Sequence, residues 1–222
     1  MGRPDVAIII PALNEEATVG AVVSAVRKYG QVIVVNDGSH DATSSRACEA
    51  GATVVDHLGN RGYDAALNTG FRKARELGCR YIVTMDADGQ HHPEIVQRYV
   101  EAMEKSADVV LGIRNRKQRI SEHIFAALTS ALYGVKDPLC GMKGYRAEVY
   151  DRLGHFDSYG SIGTELALYV VKIGHKFVQM PVPTWERRGT TRFGSILKGN
   201  YRIFRAMALS FLKIKPKCHL RS

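Results

Sequence analysis

Short runs rich in β-branched residues recur at residues 6–10, 31–35, 53–56, 81–85 and 108–113. Apolar runs without polar alternation are the pattern of strands buried on both faces. Between the first two, Val19, Val22, Val23 and Val26 fall on one helical face, with Asn14 placed to cap that helix. Asp41 is placed to cap a second helix running to Ala50, closed by Gly51. Further helices are predicted over 64–77, ending at Gly78, and over 93–105. Strands and helices alternating through short links predict an α/β fold, a Rossmann-like, mostly parallel sheet flanked by helices.

The second half is less regular. A helix is expected over 121–133, a loop over 137–146 running into a short strand, a helix over 164–173 and a strand over 176–180. Residues 195–214 form an amphipathic helical stretch carrying Ile196, Leu197, Tyr201, Ile203, Phe204, Met207, Leu209, Phe211 and Leu212. The organisation expected is an α/β domain over 1–194 and a basic amphipathic helical segment over 195–222.

Composition narrows the class. A chain of 222 residues with 45% hydrophobic and 24% charged residues is ordinary for a globular protein with a substantial core. Cys48, Cys79, Cys140 and Cys218 are widely spaced and read as reduced thiols, neither a disulfide framework nor a zinc site. Residues 6–10 are too short for a signal peptide, and residues 206–212 too short to span a bilayer, so neither is expected. The net charge is +9 and unevenly spread. From Arg187 onward every charged side chain is positive, and Arg114, Arg116, Lys117 and Arg119 form a second cluster. Such patches attract phosphates, nucleic acid or anionic lipid.

The chemistry concentrates at residues 81–93. A β-rich run ends in Asp86 and Asp88, followed by Gly89, Gln90, His91, His92 and Pro93. Strand ends are where an open α/β sheet places its ligands. Alternate residues of an extended chain point to opposite sides, so the two carboxylates converge only if the backbone turns, which Gly89 permits. Two carboxylates and an amide offer hard oxygen ligands to Mg²⁺ or Mn²⁺. A lone D-x-D is also what a solvated acidic turn looks like.

Other motifs stand in order around it: residues 8–16 with Pro11, Ala12, Asn14 and Glu15, then Asn36-Asp37-Gly38-Ser39, then Asn60-Arg61-Gly62, then Asp86 to His91. This ordered set resembles glycosyltransferase family 2, the inverting GT-A enzymes, and within it the dolichol-phosphate mannosyltransferase and polyprenyl-phosphate glycosyltransferase branch. The resemblance covers about residues 6 to 190.

The resemblance implies a nucleoside pocket between residues 11–15 and 36–39, with Asp37 accepting hydrogen bonds from base or ribose. It departs at Asn36, where the family usually has a second acidic residue. It assigns Asp86 to the ribose and metal region, and Asp88 and Gln90 to the metal. Arg114 and, less firmly aligned, Arg119 would bind the phosphate of a lipid acceptor. Residues 137–143 resemble the loop beside the acceptor, and residues 163–166 the helix opening that holds Glu165. Arg187 to Arg192 resembles a basic lid over the diphosphate, with Arg188 and Arg192 on the donor.

The reaction implied is attack on the anomeric carbon of a nucleotide sugar, nucleoside diphosphate leaving. An acceptor phosphate needs no strong base; a saccharide hydroxyl would, and Asp137 or Glu165 is then the candidate. The expectation is a peripheral enzyme on the cytoplasmic face of an anionic membrane. A saccharide-hydroxyl acceptor remains open, as does a homodimer or a membrane-anchored partner. A non-catalytic nucleotide- or nucleic-acid-binding module is disfavoured, because no RNA-binding aromatic signature is present and the Asp86, Asp88 and Gln90 set is intact. A dehydrogenase is disfavoured because no G-x-G-x-x-G turn follows the first strand.

Overall fold

The computed structural model describes residues 2–117, 119–183 and 196–213. Seven strands form one sheet: β1 (Val6–Ala12), β2 (Gln31–Asn36), β3 (Thr53–Asp56), β4 (Tyr81–Thr84), β5 (Val109–Arg114), β6 (Lys143–Arg146) and β7 (Phe177–Val182). Their order is β3-β2-β1-β4-β6-β5-β7. All neighbours run parallel except β6, which lies antiparallel between β4 and β5. The helices are α1 (Val19–Val26), α2 (Thr43–Glu49), α3 (Tyr63–Glu76), α4 (Ile95–Lys105), α5 (Ile120–Tyr133), α6 (Ala147–Leu153), α7 (Glu165–Lys172) and α8 (Ile196–Lys213).

Strand alternation divides the interior into two layers. Val6, Ile8, Ile10 and Ala12 face α1 and α4 with Val22, Val23, Val96 and Tyr99. Ala7 and Ile9 face the other side with Leu67, Phe71, Phe125 and Leu166. The mostly parallel, doubly covered sheet is therefore the one the apolar runs predict. β1 continues two residues past the expected end, through Pro11. A proline is tolerated there because β4 turns away after the Met85 N–H donates to the Ile9 carbonyl (3.0 Å), so Pro11 owes that side no donor.

Three local expectations change. Asn14 does not cap α1: Thr18 stands at the cap, and Asn14 takes a left-handed φ of 50°. Its side-chain oxygen accepts instead from the His40 N–H (3.0 Å), tying two loops together. Ala42 occupies the cap of α2, although Asp41, one residue earlier, accepts from the Thr43 N–H (3.0 Å). Helix α6 was not anticipated; it closes at Gly154 in a left-handed conformation (φ 84°).

The C-terminal helix packs on the domain along one face. Ile203, Ala206 and Ser210 are buried, and Phe211 stacks on Tyr133 of α5 with centroids 6.1 Å apart. Ser121 donates to Asn200 Oδ1 (2.6 Å), and Tyr159 to Ser210 Oγ (3.2 Å).

Candidate active site

The parallel strands β1, β2, β3, β4 and β5 all end on one edge, where an α/β sheet binds its ligands. The antiparallel β6 begins there, with Lys143 opposite Thr84 and Leu111, and so delivers the 137–142 loop to the same edge.

On the β1–β3 side, Ala12, Asn36 and Asp56 lie in one row of paired residues. Beyond them opens a cleft of about 380 Å³ whose walls include Leu13, Asn14, Asn36, Ser39, Asp56, His57, Leu58 and Asn60. Pro11 and Ala12 lie in the strand with their side chains buried, so Leu13 and Asn14 present this segment to the cleft. The Glu15 backbone N–H donates to Thr43 Oγ1 (2.7 Å), and its carboxylate accepts from the Thr18 hydroxyl (3.0 Å).

Asp37 is 4% exposed and internally satisfied. Its Oδ1 meets His57 Nδ1 (2.8 Å) and accepts from the Arg61 N–H (2.9 Å), while Oδ2 accepts from the Gly62 N–H (2.8 Å). With the ring proton on Nδ1, His57 Nε2 accepts from the Thr69 hydroxyl (3.0 Å). The carboxylate thus fixes the Asn60-Arg61-Gly62 loop at the head of α3.

In the middle of the edge, Asp86 keeps 35% of its side chain open and lies 3.3 Å from His91 Nε2. Burial pushes its carboxyl up, but the His91 hydrogen bond and the charges of His91, Lys143 and Arg114 outweigh this and hold it below the usual range. Asp88 is buried and accepts from the Gln90 N–H (3.1 Å) across Gly89, whose φ of 72° makes the turn. His91 Nδ1 is buried without a hydrogen-bond partner among the described residues. Gly141 leaves room for Asp86, since a Cβ there would come within 2.5 Å of Asp86 Oδ2.

Among the described residues no three His, Cys, Asp or Glu side chains are grouped to hold a metal unaided. The donor set nevertheless fits Mg²⁺ or Mn²⁺. Such ions take one or two carboxylates and complete their shell with substrate phosphates, and Asp86, Asp88 and Gln90 supply oxygen donors of that kind.

On the β5 side, Arg114 makes a two-pronged ion pair with Asp137, Nε to Oδ2 and Nη2 to Oδ1, both 2.9 Å. Its Nη2 is also 3.1 Å from Glu122, which Arg119 approaches at 3.5 Å. Asp137 is 1% exposed. Burial pushes its carboxyl up, but the Arg114 hydrogen bond and charge prevail and hold it below the usual carboxylate range. Glu165, the first residue of α7, accepts from the Ser158 N–H (2.6 Å) and hydroxyl (2.9 Å) and lies 3.0 Å from His155 Nε2. Arg188 and Arg192 lie outside the described residues.

Residues not anticipated join the two sides. Lys143 is buried, its Nζ donating to the Gly163 carbonyl (2.9 Å), and burial pushes its ammonium down. Asp64 of α3 accepts from the Gly163 (2.6 Å) and Ile162 (3.2 Å) N–H groups. Burial and the charge of Asp157 raise the Asp64 carboxyl to about 6. These bonds hold Ile162 at a φ of 57°, a costly conformation for a β-branched residue. The only sequence signals were a lysine in a short β-run and an aspartate in the first turn of a helix, neither distinctive.

The profile of a family described as Glycosyl transferase family 2 matches residues 7–156. Polyprenol monophosphomannose synthase of Mycolicibacterium smegmatis is 30% identical over 207 residues, spanning 81% of this chain and 77% of that protein. Undecaprenyl-phosphate mannosyltransferase of Micrococcus luteus is 30% identical over 204 residues, spanning 81% of this chain and 83% of that protein. The crystal structure of glucosyl-3-phosphoglycerate synthase from Mycobacterium tuberculosis with Mn²⁺ and uridine-diphosphate-glucose superposes with a TM-score of 0.75 at 24% identity, covering 96% of this chain and 80% of that one. The seven-stranded sheet and its flanking helices are the GT-A fold, and the chain belongs to glycosyltransferase family 2.

Proposed function

We propose that this protein is a metal-dependent, inverting glycosyltransferase that moves a hexose from a nucleotide sugar to a polyprenyl phosphate at a membrane surface. The observation that carries the choice of acceptor is the state of the two carboxylates a hydroxyl acceptor would need. Asp137 is locked to Arg114, and Glu165 is committed to Ser158 and His155. Both are engaged in holding neighbouring groups of the protein. A phosphate oxygen, already anionic at neutral pH, requires no such base. The names of the relatives from Mycolicibacterium smegmatis and Micrococcus luteus point to the same acceptor class.

Asp86 and Asp88, with Gln90, would hold Mg²⁺ or Mn²⁺, which when bound offsets charge on the departing diphosphate. Arg188 and Arg192 are proposed to cover that diphosphate. The cleft beside β3 would take the nucleoside. Arg114 and Arg119 lie on the acceptor side, and their pairing with Asp137 and Glu122 fixes their orientation, so a phosphate would meet preset donors.

Membrane contact is read from α5 and α8, which run side by side. Ile120, Ile124, Leu128 and Leu132 recur every four residues and are exposed on α5. Leu197, Tyr201, Phe204 and Leu212 are exposed on α8, beside the exposed Lys198, Arg202 and Lys213. Apolar stripes flanked by positive charge suit the interface of an anionic bilayer. No helix among the described residues is long and apolar enough to cross a membrane.

The test offers UDP- and GDP-hexoses with undecaprenyl or dolichyl phosphate, with and without Mn²⁺, and weighs the lipid product by mass spectrometry. A glycosyl-phosphoryl lipid formed only with metal is expected. No lipid product from any donor would refute the reading.

A further inference from the structure

The cleft beside β3 contains a carboxylate that the strand-end motifs did not single out. Asp56 ends β3, opposite Asn36 in the paired register. Its Oδ1 accepts from Asn36 Nδ2 at 2.7 Å, and the Asn36 side-chain oxygen accepts from the Ser39 N–H at 3.1 Å. Asn36 is 6% exposed, so its amide is clamped between β3 and the Gly38–Ser39 turn. Asp56 is exposed and lines the cleft together with Asn14, Leu58 and Asn60.

Two acids cannot share this place comfortably. A carboxylate at position 36 would meet Asp56 across the 2.7 Å now spanned by an N–H···O bond. Asn36 therefore converts a repulsive pair into a support that orients Asp56. Asp37, the neighbouring acid at the end of β2, has its oxygens occupied by His57 and by the N–H groups of Arg61 and Gly62. Among the described lining residues, Asp56 is thus the carboxylate whose surface opens on the cleft. Leu58 stands fully exposed at the rim, an apolar surface for a base to cover.

We propose that Asp56, positioned by Asn36, is the residue that reads the nucleobase of the donor. This rests on the reading of the chain as a nucleotide-sugar enzyme. A carboxylate accepts hydrogen bonds and cannot donate one when ionised. It suits a base with a ring N–H, namely uracil (N3–H) or guanine (N1–H). Cytosine and adenine offer it an amino group only beside an acceptor ring nitrogen, which faces the second carboxylate oxygen with like partial charge, so they are the weaker partners. Loss of one such charge-assisted bond weakens binding roughly ten- to hundred-fold.

Titration calorimetry with UDP, GDP, CDP and ADP in the presence of Mn²⁺ tests this on the full chain. The wild-type protein is expected to bind UDP or GDP at least about tenfold more tightly than CDP and ADP. Asp56→Asn presents an N–H to the ring nitrogen of cytosine or adenine, so it should shrink or invert that ratio. Asn36→Asp should weaken the preferred nucleotide through repulsion at Asp56. A wild-type protein that ranks the four bases equally overturns the proposal, as does an Asp56→Asn variant that keeps both the wild-type melting temperature and the wild-type ranking. Failure of the wild-type protein to bind any of the four would overturn the proposed function along with this inference.

Discussion

The two ends of the site edge are held by different forces. On the β1–β3 side the loops are tied by side chains that accept from backbone N–H groups: Asn14 from His40, Glu16 from Ala42, Asp41 from Glu16, Asp37 from Arg61 and Gly62. On the β5 side the ties are ionic, with Arg114 between Asp137 and Glu122 and Arg119 beside Glu122. The first arrangement makes a rigid cradle whose groups are satisfied without ligand. The second gathers two arginines and two carboxylates into a cluster that is balanced only while every member is present. Removing one backbone N–H bond to a carboxylate costs about 1.5–3 kcal/mol, whereas stranding a buried charge costs about 3–5 kcal/mol.

The largest expected effect lies between the two ends. Asp88→Asn should lower turnover about a hundredfold or more without lowering the melting temperature, because the proposed metal donors are touched and the core is not. Gly141→Ala should lower it comparably, since its Cβ would press within 2.5 Å of Asp86 Oδ2. Wild-type turnover in either variant, measured with the preferred donor and Mn²⁺, contradicts the assignment of this turn to the leaving diphosphate.

The next pair tests the contrast directly by chemical denaturation. Arg114→Ala leaves Asp137, 1% exposed, and Glu122, 5% exposed, without their shared partner and should cost about 3–5 kcal/mol. Asp37→Asn keeps an acceptor for one of its donors and should cost about 1–3 kcal/mol. An Asp37→Asn cost equal to or above that of Arg114→Ala would erase the distinction between the two ends.

How much of this was legible depended on whether a residue's partner is near it in sequence. The apolar runs predicted the parallel strands because burial on both faces leaves a local signature, and Asp86 to Gln90 stood out because the turn follows its strand at once. The antiparallel insertion of β6 between β4 and β5 has no such signature, since a four-residue strand fits either direction. Asp37 could be located from its motif, but its engagement with His57, Arg61 and Gly62 could not, because those donors come from the loop after another strand. Arg114 likewise stands out in the sequence as a basic residue at a strand end, but its pairing with Asp137, 23 residues on, does not. In α8 the helical period was visible, while the division into a packed face (Ile203, Ala206, Ser210) and an exposed one (Leu197, Tyr201, Leu212) needed α5 beside it.

A smaller effect concerns the bridge between the two ends. Asp64 titrates near 6 in the folded protein against an ordinary value of 3.8. A carboxyl whose folded pKa is raised favours the folded state while protonated. Its contribution is therefore present below about pH 4 and lost as pH rises through about 6, amounting to about 3 kcal/mol at most. Asp64→Asn should remove this part of the pH dependence of unfolding, and an unchanged profile would show that the two N–H bonds keep the carboxyl ionised. Smaller still is the membrane term, at about 1 kcal/mol per basic residue. Full-length protein should float with anionic vesicles at low salt, and Leu128→Glu with Tyr201→Glu should leave it in the soluble fraction. Flotation unaffected by both changes would place the lipid contact elsewhere.

The central claim is that the acceptor is a phosphate and that no side chain serves as its base. The most direct measurement offers the enzyme, with its preferred nucleotide sugar and Mn²⁺, a polyprenyl phosphate, the matching polyprenol and an oligosaccharide in parallel, and quantifies each product by mass spectrometry. Product from the polyprenyl phosphate alone is the result predicted. Equal or greater transfer to the polyprenol or to the oligosaccharide would contradict it.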